Sequence, residues 1–139
     1  LGRKINYPMA MEAALKMKEI SYIHAEGYPA GEMKHGPIAL LHPGFPVVAI
    51  VPRDSVYDKM RGNIEEVKAR RAPVIAVATR GDREVEEYCE ETIFVPEVEA
   101  CFNPVVVAPA VQLFAYHVAK MRGCNVDQPR NLAKTVTVE

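Results

Sequence analysis

The stretch FPVVAIVPRDSVYDKMRGNIEEVKARRAPVIAVAT, residues 45–79, decides the fold. Its two ends, FPVVAIV at 45–51 and PVIAVAT at 73–79, are short valine-rich runs that predict strands buried on both faces. Between them a helix is predicted, capped by Asp54 or Ser55. Because two buried strands joined by a helix are typical of a parallel pair, the stretch indicates an α/β fold.

The rest of the chain continues the alternation of helices and strands. Pro109 is expected to kink the last helix or to mark its true start. We predict one domain over residues 1–139, a three-layer α/β/α fold with a mostly parallel sheet flanked by helices. The further predicted elements are a helix from Met9 to about Tyr22 with Pro8 at its first position, a helical stretch Ala30–Lys34, a short helix Glu84–Glu91, a strand Thr92–Pro96, and a long helix from Cys101 or Asn103 to Gly123.

Composition excludes several classes of protein. The formal net charge is -1 and no dense basic run occurs, which argues against a nucleic-acid or anionic-membrane partner. No unbroken apolar run reaches the length of a membrane span. The cysteines, Cys89, Cys101 and Cys124, are too widely spaced for a disulfide framework or a zinc site, so we expect a cytoplasmic protein without a metal. The opening residues, 1–3, are typical of a strand end running into a loop, as in a domain cut from a longer polypeptide.

Three charged residues of the first helix are candidates for acid–base chemistry. Glu12, Lys16 and Glu19 are spaced by four and then three, which places them on one helical face. The alternative is a solvated stripe of ion pairs. The other faces are rich in Ala, Met and Leu, so we expect a largely buried helix, in which carboxylates and lysines need partners.

Two further candidates lie in irregular segments. His35 stands in KHGP at 34–37, where Gly36 and Pro37 restrict the backbone and orient the imidazole; the alternative is an exposed turn histidine. Lys134 ends QPRNLAK, and Leu132 and Ala133 are apolar anchors that would let the tail fold back over a pocket. A lysine desolvated in this way can attack a carbonyl and form a Schiff base, whereas a solvated tail lysine cannot.

No sequence feature supplies a phosphate cradle. Neither a P-loop nor a Gly-x-Gly-x-x-Gly run occurs, and the loop 2–8 before the first helix has no cluster of hydroxyl side chains. We therefore predict no nucleotide cofactor.

These segments together resemble one family, the glutamine–fructose-6-phosphate aminotransferases. Residues 1–40, with KEISYIHAE and KHGP, resemble the start of their second sugar isomerase (SIS) domain, and residues 115–139, with DQPRNLAK and VTVE, resemble their carboxyl terminus. The middle of the chain matches more loosely. The resemblance implies an isomerase domain that helps convert fructose-6-phosphate to glucosamine-6-phosphate in amino-sugar biosynthesis.

The resemblance also implies roles for individual residues. Glu19 matches the carboxylate that moves a proton between carbons 1 and 2 of the open-chain sugar, and Lys134 matches the lysine that forms a Schiff base with its carbonyl. His35 matches a histidine that opens the sugar ring from the neighbouring subunit. Glu12 and Lys16 match supporting positions on the catalytic helix.

Further implications concern the tail and the partners. Ala133 matches a segment that closes over the sugar, so residues 125–139 would form an active-site tail. The expected partners are fructose-6-phosphate or glucosamine-6-phosphate, a second copy in a homodimer, and the first SIS and glutaminase domains of a full-length chain. No residue here matches the glutaminase nucleophile or the hydroxyl-rich phosphate loop, so we expect little activity from the chain alone.

Two other functions remain open on the sequence. A non-catalytic sugar-phosphate sensor needs the pocket without the acid–base set, and the joint presence of Glu19, His35 and Lys134 favours the enzyme. A related deglycase or isomerase would use the same positions without glutamine, and the DQPRNLAK ending argues against it.

Overall fold

The computed structural model describes residues 1–132. The observed helices and strands follow the predicted order. They are α1 (Tyr7–Lys16), β1 (Val47–Val51), α2 (Tyr57–Lys68), β2 (Val74–Thr79), α3 (Arg83–Glu86), β3 (Glu91–Val95) and α4 (Asn103–Met121), with 3₁₀ helices at Lys4–Asn6, Ala30–His35, Pro37–Leu40 and Ala100–Phe102 and a π-helical turn at Met17–Ser21.

The sheet of the described residues is fully parallel, in the order β1-β2-β3. Ala76 of the central strand pairs with Ala49 on one side and Thr92 on the other. The free edge of β1 is also paired at one point, because the backbone of Leu1 bonds to Val48 O (2.6 Å) and Ile50 N (2.9 Å). These two bonds hold Leu1 against the edge of β1.

Helices cover both faces of the sheet, which confirms the three-layer prediction. One face packs against α2 and the 3₁₀ helix at 30–35, and the other against α1 and α4. Val74 and Val77 of β2 are fully buried in the two opposite cores, as expected for a central parallel strand. The first core contains Met33, Val47, Ala49, Met60, Ile64, Val67, Val74 and Ala76, and the second Ala10, Ile50, Val77, Val95, Val107 and Val111.

Two expectations about the helices are wrong in part. Pro109 does not mark the start of α4, because the helix begins at Asn103 and runs through the proline; the alternative, a kink at Pro109, stays a prediction. The bond lost at Pro109 costs about 3 kcal/mol, and the buried side chains Val107 and Val111 on either side hold the helix in place. The first helix is also less buried than predicted, since Met11 is 51% exposed.

One helix, Ala100–Met121, is long and apolar enough to cross a membrane by length and composition, with 22% of the tested window buried. The expectation that the chain lacks such a segment rested on unbroken apolar runs, which polar residues such as Gln112 interrupt. Val107, Val111 and Ala115 are fully buried on one side of α4, and the helix packs on the sheet and α1. The opposite side of the helix exposes large apolar side chains, among them Val105 and Leu113.

Candidate active site

The candidate site lies where the first helix ends. Ala10 and Ala14 are small enough to let α1 approach its neighbours closely, and both are buried. Beyond Lys16 the helix widens into a π-helical turn, Met17–Ser21, which carries Glu19. Such turns are rare, and they are often found at functional sites.

Lys16 and Glu19 form a close ion pair at this turn. Lys16 Nζ donates to Glu19 Oε2 at 2.5 Å, and the two side chains are 31% and 26% exposed. The hydrogen bond to Glu19 is the main cause that raises the pKa of Lys16 above its ordinary value. Lys16 therefore stays an ammonium at neutral pH, a hydrogen-bond donor without a lone pair for nucleophilic attack.

Glu12 lies on the same side of the helix. Its charge contributes to the raised pKa of Lys16, and its Oε1 accepts a hydrogen bond from Gln112 Nε2 of α4 at 2.9 Å. Glu12 thus links α1 to α4 one turn before the ion pair. The structure places Glu12, Lys16 and Glu19 close together across α1 and the π turn, as their spacing predicts.

The residues that end the helix adopt an unusual conformation. Ser21 is fully buried and its hydroxyl donates to Met17 O at 2.6 Å, which closes the π turn. Tyr22 follows with φ 60° and ψ 19°, a left-handed conformation that is unfavourable by about 1–2 kcal/mol for a residue with a Cβ. Strain of this kind persists where the surrounding contacts over-determine it.

The segment after α4 supplies those contacts. Arg122 Nε donates to Ser21 O at 3.1 Å, and farther along Arg130 N donates to the Tyr22 hydroxyl at 2.8 Å. The Arg130 guanidinium lies 4.4 Å from the centroid of the Tyr22 ring. The chain therefore returns after α4 to the end of the helix that carries Glu19. Lys134 and Ala133 belong to residues 133–139, outside the described part of the chain.

His35 lies at the end of the 3₁₀ helix Ala30–His35 and is 72% exposed. Its Nδ1–H donates to Glu32 Oε2 at 2.7 Å, so the imidazole is oriented within its own turn. Two contacts hold this turn on α2: Met33 is 98% buried in the first core, and Lys34 pairs with Glu66 at 2.6 Å. His35 makes no hydrogen bond to the Lys16–Glu19 pair in residues 1–132.

Two cavities lie near α1 in the described chain, and neither is lined by the ion pair. An apolar cavity of about 540 Å³ lies between α1, the edge of β1 and the 3₁₀ helix at 37–40, and neither Glu19 nor His35 lines it. A shallower depression of about 620 Å³ between α1 and α4 includes Glu12 and Gln112. The ion pair itself is open to solvent on one side.

Metal and thiol chemistry find no support among residues 1–132. No group of three or more metal-ligating side chains occurs there. The three cysteines are free thiols, and burial raises the pKa of Cys89 to about 11, which leaves it protonated at neutral pH.

A second polar cluster lies at the carboxyl ends of β1 and β2. Arg53 Nη2 pairs with the buried carboxylate of Asp82 at 2.7 Å, and its guanidinium lies 4.9 Å from the centroid of the Tyr57 ring. Asp82 also accepts from Val85 N, which caps α3. Burial, together with the nearby charge of Asp82, raises the pKa of Tyr57 to about 12. These bonds join the strand ends to the helices that follow.

Sequence reasoning missed Tyr22 and Arg130. Both residues stand in motifs quoted for the resemblance, yet neither has a periodicity or a charge pattern that marks it. They are 108 residues apart in sequence, so only the folded chain brings them into contact.

Comparison with protein families gives a match over most of the chain. The family model described as SIS domain matches residues 1–122. Two curated proteins named glutamine–fructose-6-phosphate aminotransferase [isomerizing] match all 139 residues, one from Chlorobaculum tepidum at 58% identity and one from Aquifex aeolicus at 57%. The chain spans 23% and 24% of their lengths, so it resembles about a quarter of each.

Solved structures give the same result for the fold. The C-terminal domain of glucosamine-fructose-6-phosphate aminotransferase from Francisella tularensis is similar, with a TM-score of 0.82 and 44% identity, over 91% of this chain and 36% of that chain. A glucosamine-6-phosphate deaminase from Thermotoga maritima has a TM-score of 0.71 and 25% identity, over 99% of this chain and 39% of that chain.

Proposed function

This chain belongs to the SIS domain family, and from that membership we propose that it is the second SIS domain of a glutamine–fructose-6-phosphate aminotransferase, contributing to the conversion of fructose-6-phosphate to glucosamine-6-phosphate. The observation that carries the proposal is the Lys16–Glu19 pair at a π turn, with the segment after α4 returning to the same helix end. Aldose–ketose chemistry needs a carboxylate that moves a proton and an amine that attacks the carbonyl. Glu19, held by the protonated Lys16, suits the first role, and Lys134 of the tail suits the second.

Glu19 is the proton carrier in this proposal. Converting a ketose to an aldose moves a proton between adjacent carbons, and one carboxylate within reach of both can remove it and return it. Lys16 holds Glu19 through a charge-assisted hydrogen bond, which restricts the carboxylate to one orientation. The widened turn and the 26% exposure of Glu19 leave it accessible to a small ligand.

Lys134 is the nucleophile in this proposal. A Schiff base needs a neutral amine, and Lys16 is unsuited because Glu19 keeps it protonated. The path of the chain up to Leu132 supports the assignment of that step to the tail, since Arg130 lies against Tyr22, three positions beyond Glu19. Ala133 would contribute backbone to the segment that covers the sugar.

His35 opens the sugar ring, and it acts on the site of a neighbouring subunit in a homodimer. Two features support this role. Its Nδ1 is hydrogen-bonded to Glu32, which leaves Nε2 to face a sugar hydroxyl. Its side chain is also 72% exposed and points away from the core, so a second subunit can reach it.

The remaining parts of the activity belong to partners. The curated relatives are about four times longer than this chain, and we propose that a glutaminase domain and a first SIS domain supply ammonia and the phosphate site. The reaction as proposed uses no metal and no cofactor, and it takes place in the cytoplasm.

A chimera tests the proposal. This chain replaces the 139 matching residues of the Chlorobaculum tepidum relative, and Glu19→Gln is compared with the unchanged chimera and with Glu65→Gln, at an exposed carboxylate of α2. We expect Glu19→Gln to lower turnover by about 10²- to 10⁴-fold while fructose-6-phosphate binding persists, and Glu65→Gln to have no effect. Full turnover in Glu19→Gln would show that Glu19 does not carry the proton, and an unchanged chimera without turnover would favour the non-catalytic sensor instead.

A further inference from the structure

The contact between Tyr22 and Arg130 joins the end of the first helix to the segment that follows the last helix. Tyr22 contributes both its hydroxyl, which accepts the Arg130 N–H at 2.8 Å, and its ring face, with the guanidinium 4.4 Å from the centroid. A backbone bond and a cation–π contact to the same residue fix its position and its orientation. We name this pair the Tyr22–Arg130 latch.

The backbone on the Tyr22 side is set for this contact. The left-handed φ of 60° ends the π turn abruptly and reverses the direction of the side chain relative to a continued helix. Ser21 is immobilised by burial and by its bond to Met17 O, so Tyr22 leaves the helix from a fixed point. A conformation unfavourable by about 1–2 kcal/mol is retained where it places a side chain that the site needs.

The tail side is also shaped locally before it reaches Tyr22. Arg122 and Cys124 both lie against Ser21 O, at 3.1 and 3.9 Å. Asn125 Oδ1 then accepts from the backbone N–H groups of Asp127 and Gln128, which forms a tight turn. The turn directs the chain back along the helix end, and the latch is the last long-range contact of residues 1–132.

We propose that Tyr22 and Arg130 are positioning residues, which hold residues 122–132 at the end of the helix that carries Glu19, so that the chain continues toward Lys134 from that helix end. This inference rests on the proposed function, since it assigns the latch a purpose in that reaction. Loss of the latch should reduce the fraction of enzyme with the tail in place and so lower turnover. Substrate affinity should change little, because the proposed phosphate site lies in another domain.

Amide hydrogen exchange of the 139-residue chain tests whether the latch exists in solution. Tyr22→Phe removes the hydroxyl acceptor and keeps the ring, and we expect exchange at Arg130 to accelerate about fivefold, the value of one net hydrogen bond. Tyr28→Phe is the matched control, because within residues 1–132 the Tyr28 hydroxyl bonds to Glu26 of its own loop. Unchanged exchange at Arg130 in Tyr22→Phe would overturn the proposal.

Kinetics of the chimera test the purpose of the latch. We expect Tyr22→Phe to lower kcat about 3- to 10-fold and Tyr22→Asn, which suits the left-handed backbone but lacks the ring, to lower it further, with KM within about twofold. Arg130→Lys should retain most activity, whereas Arg130→Ala should lose much of it. The double variant Tyr22→Asn/Arg130→Ala should have a kcat no lower than that of the less active of its two single variants.

The outcomes separate the latch from the proposed function. If Glu19→Gln abolishes turnover while both Tyr22 variants keep full kcat, the latch has no part in the reaction and the inference is wrong. If Glu19→Gln leaves turnover intact, the proposed function fails, and the inference fails with it even where exchange shows the contact. If Tyr22→Asn does not fold, Tyr22→Phe and the Arg130 variants still decide the question.

Discussion

The surroundings of Lys16 decide which role this residue can have in the proposed reaction. Its spacing from Glu19 is compatible with a surface ion pair, which alone contributes little to stability. The structure adds the π turn and a raised pKa caused mainly by the bond to Glu19. A lysine held protonated cannot attack a carbonyl, so its role is to orient the carboxylate.

Replacing Lys16 by methionine tests that orienting role. In the chimera, we expect Lys16→Met to lower kcat about 100-fold, because Glu19 loses the partner that sets its direction. Lys16→Arg keeps a charge-assisted bond and should recover part of the loss. Steady-state kinetics at fixed pH measure both, and unimpaired turnover in Lys16→Met would show that Glu19 needs no such partner.

Tyr57 gives a prediction for stability at high pH. Its pKa is raised from 10 to about 12, mainly by burial, so the folded state favours the neutral phenol. Because the pKa of Tyr57 is higher in the folded state than in the unfolded state, the neutral phenol stabilises the fold. This contribution is fully present below about pH 10 and is lost as the pH rises toward 12. Between pH 10 and pH 12, we expect the free energy of unfolding of the wild type to fall by about 2–3 kcal/mol more than that of Tyr57→Phe.

Urea unfolding at pH 9 and pH 12 measures that difference. Tyr116→Phe is the control, because Tyr116 is 39% exposed on α4 and should leave the pH dependence unchanged. Parallel stability curves for wild type and Tyr57→Phe would contradict the prediction.

Among the elements, the strands were predictable and the helix ends were not. Valine-rich runs placed β1 and β2 within two residues of their observed bounds, because few other structures bury such runs on both faces. The π turn after Lys16 and the left-handed Tyr22 depend on Ser21 burial and on the distant tail, which no local pattern reports. The passage of α4 through Pro109 likewise depends on packing at both flanks.

The 3₁₀ helix that carries His35 gives a prediction at the same scale. Met33 anchors this helix in the first core, and its truncation to alanine leaves a cavity that should lower the free energy of unfolding by about 2–5 kcal/mol. Met121→Ala is the control at an 89% exposed site and should change it by no more than about 0.5 kcal/mol. Equal effects in urea unfolding would show that Met33 does not anchor the segment.

At the scale of the molecule, the three layers bring one end of α1 and the segment after α4 to the same place. The sheet separates two cores, and the pairing of α1 with α4 on one face is what lets residues 122–130 return to Ser21 and Tyr22. The sequence alone predicted the layers and the charged face of α1. The return of the tail was a hypothesis from composition, and its contacts with α1 required the fold.

The whole chain also gives a prediction about binding. The loop 2–8 has no hydroxyl cluster and the proposed phosphate site lies in another domain, so the isolated 139-residue chain should bind fructose-6-phosphate weakly or not at all. Calorimetric titration measures this directly, with the chimera as the positive control. Tight binding by the isolated chain would mean that its own residues form the phosphate site.

The central claim is that the tail lysine and Glu19 act on one sugar, and chemical trapping tests it most directly. Borohydride is added to the chimera in the presence of fructose-6-phosphate, and the modified residue is located by peptide mass spectrometry. We predict a reduced hexose-phosphate adduct on Lys134, lost in Lys134→Arg and retained in Glu19→Gln, where the Schiff base still forms. An adduct on Lys16, or none on any lysine of this chain, would contradict the account.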